Sequence, residues 1–176
     1  MSTTLIAAIE GLQTDAARRH EFNAWLQQFQ RQSGAWDAVC EILGEATASK
    51  AVRIFCAQTL RNKVQFDLHQ IPKTDRMALK DRMLLLLQRN ADLLTVVGVQ
   101  VCIALASFAV QVEEWPQPVH ELIASFKDAA MVPLVFEFLR VLPEEFCAER
   151  AQLLDSQTQL ARSAQLVGGN ARFVLD

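Results

Sequence analysis

The sequence predicts an all-α fold, a right-handed α-solenoid of about four helical hairpins plus a partial fifth. Three observations carry that prediction. Six Gly and five Pro among 176 residues leave few turns, which favours helices over a many-stranded sheet. The stretch FCAQTLRNKVQF at 55–66, wound at 3.6 residues per turn, gathers Gln58, Arg61, Asn62 and Gln65 into one strip at i, i+3, i+4 and i+7. Ile54, Phe55, Cys56, Ala57, Thr59, Leu60, Val64 and Phe66 occupy most of the remaining circumference. The apolar run LLTVVGVQVCIALASFAVQV at 93–112 repeats the pattern, with Gln100, Ser107 and Gln111 on one face at i, i+7 and i+11 and Ala104 between them. Both helices are expected to be buried on most sides, with one thin polar seam open.

The remaining elements follow from breakers and periodicity. Gly11 and Thr14-Asp15 separate a short first helix, about 3–10, from a longer one, about 15–32, whose core stripe is Phe22, Trp25, Leu26 and Phe29. Ser33-Gly34 closes that hairpin. AWDAVCEILGEA follows, with a stop between Gly44 and Thr47, and then the helix containing 55–66, which ends before Ile71-Pro72. Thr74-Asp75 opens DRMALKDRMLLLLQRN, and the apolar helix runs on to Val112. Trp115, Pro116 and Pro118 form another stop, because proline lacks an amide donor and fixes φ. VHELIASF, Lys127-Asp128 and MVPLVFEFLRVLP complete the pattern, with Glu137 and Arg140 facing outward and Pro143 expected to close the unit.

Short and long helices therefore alternate about four times at a period of roughly 35–45 residues, the spacing of HEAT and armadillo repeats. The Trp-Leu-Gly-Tyr pattern of 34-residue TPR units is absent. A four-helix bundle would also give amphipathic helices, but about eight alternating segments and two nearly encircled helices favour stacked pairs. In a solenoid the second helix of each pair is gripped by its outer partner and by the neighbouring repeats, and keeps only one strip free on the concave side. The second helix is rich in Arg18, Arg19, Glu21, Gln27, Gln28 and Gln30, which suits a terminal pair with no preceding neighbour. HEAT-like repeats 1–4 are expected over 1–150, and the start of an incomplete fifth repeat or a tail over 151–176, where the pattern fades at Gly168-Gly169.

Charge and chemistry narrow the function. At 51% hydrophobic and 21% charged the chain packs a core. A net charge of −3 and a pI near 5.6 give no basic footprint for direct nucleic-acid binding. Cys40, Cys56, Cys102 and Cys147 show no C-x-x-C pair and no His at ligand spacing, so all four are expected to be reduced thiols filling the core, and no metal or cofactor is expected. His20, His69 and His120 are scattered. The uncharged run at 93–112 is long enough to span a bilayer, but Gln100, Ser107 and Gln111 interrupt it and acidic Asp92 and Glu113 flank it, so it is read as a buried helix. MSTTLIAAIEGL lacks the basic start of a secretory signal. Without G-x-x-x-x-G-K-[ST], G-x-S-x-G or H-E-x-x-H, no enzymatic site is expected. Glu113-Glu114 and Glu144-Glu145 are assigned to helix ends, the latter pair to a helix N-terminus after Pro143.

FCAQTLRNKVQFDLHQIP resembles the second inner helix of importin-β superfamily receptors, whose N-terminal repeats carry an aromatic, small residues and a Leu-Lys-Asn-like turn, here Leu60-Arg61-Asn62. FNAWLQQFQRQSGAWDAVCEIL, VQVCIALASFAVQVEEWPQPVHELIASF and VPLVFEFLRVLPEEF are similar, in order, to the first four repeats of the transportin-SR and importin-thirteen branch. The resemblance covers residues 3 to about 150. It implies a nuclear import receptor whose N-terminal arch grips Ran in its GTP form, with protein cargo bound mostly by later repeats, nucleoporins as further partners, and shuttling between cytoplasm and nucleus. Family members are several-fold longer than this chain. The residues expected to meet Ran on the concave face are Gln58, Arg61, Asn62 and Gln65, then Gln100, Ser107 and Gln111, then Glu137 and Arg140. A HEAT-type scaffold with another protein client remains the alternative, because architecture does not fix function.

Overall fold

A computed structural model describes residues 1–45, 47–89, 96–147, 161–162 and 164–165. Among these residues there are eight α-helices and no strand: α1 Ser2–Thr14, α2 Arg19–Arg31, α3 Ala35–Gly44, α4 Lys50–Phe66, α5 Lys73–Arg89, α6 Val96–Gln111, α7 Pro118–Ser125 and α8 Val132–Cys147. Short 3₁₀ turns stand at Leu68–Gln70 and Ala129–Met131. The helices pair as four hairpins. α4 packs chiefly on α6 and α6 on α8, while α1 lies against α2, α3 against α4, and α5 bridges α3 and α6. The even-numbered helices form the inner layer and the odd-numbered ones the outer layer, as a HEAT-like solenoid requires. The fifth repeat expected after 151 falls almost wholly outside the described residues.

The centre of the stack is α6. Of its sixteen residues only Val96 is exposed, and Val99, Gln100, Ile103 and Gln111 are half-buried; every other position is buried. Val96, Val99, Gln100 and Ile103 fall within a narrow arc of the helical wheel, so the helix is covered on all sides but one. Ala104, Ala106 and Ala109 present only methyl groups, which lets neighbouring backbones approach. Trp115, in the turn after α6 and 1% exposed, meets Phe108 at 6.2 Å and Phe138 at 6.3 Å between ring centroids. The expected chain stop is thus also the aromatic pin between α6 and α8. Among the described residues no helix is long and apolar enough to cross a membrane.

Two breakers do not break. Gly11 lies inside α1, and a Cβ built there would stand 2.5 Å from the Phe22 ring, so its lack of a side chain serves the close approach of α2 and not a turn. Asp15 is the stop, its Oδ1 accepting from the amides of Ala17 and Arg18. Pro143 lies inside α8, which continues to Cys147. Only the amide bond that Pro143 itself would make is lost, in the exposed last turn, while Arg140 to Glu144 and the burial of Glu145 hold that turn in place. Glu144 and Glu145 are therefore in the body of α8 and not at a helix N-terminus.

Buried cations sit where hairpins join. Lys63 on α4 is 1% exposed and donates to the Gln30 carbonyl at 3.1 Å, Asp67 Oδ2 at 3.1 Å and Gln70 Oε1 at 3.0 Å, with its ammonium 5.2 Å from the centre of the Trp36 ring. Those partners belong to α2, the end of α4, the 3₁₀ turn and α3, so one side chain ties the first hairpin to the second. Lys80 on α5 is bound by Asp81 and by Glu121 of α7, and Glu121 also accepts from Trp115 Nε1 at 2.6 Å. Burial pulls the Lys80 pKa down, but the two carboxylates outweigh it and hold the ammonium above its ordinary value. Arg162 is 1% exposed and donates to the carbonyls of Ala109 and Trp115, groups left open where α6 ends. Burial pushes its pKa down to about 10, so it stays charged at neutral pH.

Lys63→Met keeps the aliphatic stem but takes the donor from Asp67 and the Gln30 carbonyl and leaves Gln70 Oε1 with Trp36 Nε1 alone. The expected loss is about 2 kcal/mol in urea unfolding, discounted from the cost of a fully buried pair because Asp67 is partly solvated. An unchanged unfolding midpoint would show that the joint contributes nothing.

Candidate partner-binding wall

The free strips of α4, α6 and α8 lie side by side because those helices stack in sequence. On α4, Gln58 is exposed and Arg61, Asn62 and Gln65 are half-buried, as the wheel predicts. The guanidinium of Arg61 donates through Nε and Nη2 to Asn62 Oδ1 at 3.3 and 3.2 Å. That pair of bonds uses two of its five donors. On α6, Gln100 is half-buried and its Oε1 is a buried acceptor with no hydrogen-bond partner. Ser107 is 2% exposed, so it does not stand on the surface; its Oγ accepts from Gln111 Nε2 at 3.1 Å and positions that amide. Gln111 Nε2 also donates to the Val64 carbonyl of α4 at 3.0 Å.

On α8, Arg140 forms ion pairs with Glu137 at 2.7 Å and Glu144 at 2.9 Å. The hydrogen bond from Arg140 holds the Glu137 carboxyl below its usual range, and Glu137 in turn raises the exposed guanidinium. These three residues form a compact acidic–basic–acidic patch on α8.

At the carboxyl ends of the three helices the structure brings Gln65, Ser107 and Gln111 together with a residue the sequence reading missed. Gln65 Nε2 donates to both oxygens of Glu145 at 3.1 Å. The signal was present: Leu134, Phe138, Val141 and Glu145 are spaced as one buried stripe of α8, and an acid on such a stripe calls for a partner. Gln58 and Gln100 lie nearer the amino ends than Gln65 and Gln111, so the predicted residues do not form one cluster.

Residues 23–89 match the family model described as the importin-beta N-terminal domain, and residues 95–166 match that of exportin 1-like proteins. The chain belongs to the transportin branch of the importin-β superfamily. Across that branch it is 41% identical over 125 residues to the mRNA transport regulator MTR10 of Saccharomyces cerevisiae, covering 69% of this chain and 12% of that protein. It is 33% identical over 136 residues to Transportin MOS14 of Arabidopsis thaliana, covering 74% and 14%. With Importin-13 of Homo sapiens it shares 28% over 161 residues, 86% of this chain and 16% of the other. Against these relatives the importin-β chain described here spans well under a fifth of their length.

The thiols correct one expectation. Cys40, Cys56 and Cys102 are buried, but Cys147 is exposed at the end of α8 and fills no core. Burial pushes Cys40 up to about 11 and Cys56 and Cys102 up to about 12, so below pH 9 these three hold almost no thiolate, the reactive form. Among the described residues no group of three or more His, Cys, Asp or Glu could hold a metal. A disulfide-exchange dye at pH 8 is expected to titrate Cys147 rapidly and the other three only after denaturant is added. Rapid reaction of a second thiol in native buffer would contradict the burial of the inner layer.

Proposed function

We propose that the wall of α4, α6 and α8 is a protein-docking face of a nuclear import receptor, and that its partner is Ran in the GTP form. The observation that carries this reading is the juxtaposition of free polar strips on successive inner helices. Gln58, Arg61, Asn62 and Gln65 stand on the first, Gln100 and Gln111, with Ser107 behind it, on the second, and Glu137 and Arg140 on the third. Amides, one guanidinium and a charged triad suit the polar surface of a GTPase better than an apolar ligand. No step of bond chemistry is involved. Recognition works by selecting one conformation: hydrolysis reorders the switch segments of the nucleotide-bound partner, and a rigid wall fits one arrangement only. Protein cargo and nucleoporins would engage other repeats of the full-length receptor, which would move between cytoplasm and nucleus.

Arg61 is the strongest single anchor, since a planar fork of donors matches carboxylate or carbonyl partners in fixed geometry. Immobilised protein is expected to retain Ran charged with GTP and to let Ran charged with GDP pass. Arg61→Glu is expected to weaken the GTP complex by about 2 kcal/mol or more, the scale of an interface hot spot, with an unchanged thermal melt. Retention of neither form by folded protein would transfer the reading to a HEAT-type scaffold with a different client. Equal affinity of Arg61→Glu and the parent would remove this residue from the interface.

A further inference from the structure

The Gln65–Glu145 contact joins residues 80 positions apart, on the second and fourth hairpins. α8 packs chiefly against α6, so this bond reaches past α6 to α4. Beneath it Gln111 fastens α6 to the Val64 carbonyl. The other polar residues of the wall turn to their own helices: Arg61 to Asn62, Arg140 to Glu137 and Glu144. Glu145 is 8% exposed, and the Gln65 amide, donating to both of its oxygens, is one of the contacts that stabilise a carboxylate so far from water. Among the described residues the inner helices are cross-tied by Gln65 to Glu145 and by Gln111 to the Val64 carbonyl.

We propose that Gln65 and Glu145 form a strap that sets the curvature of the inner wall, holding the ends of α4 and α8 converged over α6. Stacked hairpins touch only their neighbours, so their mutual angles are soft, and a direct tie from the second hairpin to the fourth restrains two joints at once. A ligand that prefers a wider wall must then supply the free energy lost when the strap opens. The proposal concerns the shape of the free protein and holds whichever partner the wall takes.

Cys147 is exposed at the end of α8, and His69 is exposed in the turn after α4, so a spin label on each, using His69→Cys, reports the span across the strapped rim. Gln65→Glu sets two carboxylates against each other and is expected to shift the distance distribution to longer values. Gln65→Lys, which makes an ion pair with Glu145, is expected to leave it unchanged or shorten it. Exchange of the charges in Gln65→Glu with Glu145→Lys is expected to restore the parent distance. Should Gln65→Glu fail to fold, Gln65→Leu, which removes the donor without adding charge, carries the same expected lengthening. Identical distributions in the parent, Gln65→Lys and whichever of Gln65→Glu or Gln65→Leu folds would overturn the strap, as would failure of the charge exchange to restore the distance.

Discussion

Everything in this molecule depends on α6 being enclosed. A helix with no charged residue and apolar groups on nearly every side cannot stand in water, and no single partner helix can cover it. α4 takes one flank and α8 the other, with α5 behind. Because α4 and α8 are each the second helix of their own hairpin, satisfying α6 forces three hairpins into parallel stacking. The free strip of α6 is then bordered by the free strips of α4 and α8, and the wall is a by-product of burial.

Apolar stacking decides which helices touch but leaves their angles loosely set, since smooth apolar surfaces slide. Directional contacts narrow the choice. Lys63, Lys80 and Arg162 each bury a cation at a junction and answer it with carbonyls, carboxylates or an indole ring. Such groups are costly when unpaired, so each tolerates only the relative placement in which all its donors are met. The cations lie behind the wall, while Gln65 and Glu145 act on its face. Curvature is thus determined by polar residues and the stack by apolar ones.

The stacked architecture was legible because the two encircled helices advertise themselves. The strip Gln58, Arg61, Asn62, Gln65 stands out only against a circumference that is otherwise apolar, and the same holds for Gln100 and Gln111. Local breaker rules failed at Gly11 and Pro143 because they ask what a residue does to its own chain. Gly11 answers to Phe22 on another helix, and the turn holding Pro143 is fixed by contacts made by Arg140 and Glu145. Treating Pro143 as a terminus then hid Glu145, which a strict count along α8 places on the buried stripe. Lys63 was invisible for a different reason: its partners at Gln30 and Gln70 lie 33 and 7 residues away, and no pattern along α4 alone announces them. Ser107 shares a helical face with Gln100 and Gln111 yet lies below its surface, because Gln111 folds back over it.

The enclosed position of α6 makes one observable diagnostic. In a solenoid, a helix flanked on both sides opens only when two interfaces break, whereas the end helices fray at the cost of one. Native-state amide hydrogen exchange reads this directly. Amides of 101–110 in α6 are expected to exchange most slowly in the protein, at the rate of global unfolding, with those of α2 exchanging faster. Exchange of α6 as fast as α2 would contradict the stacked arrangement on which the wall, the joints and the strap all rest.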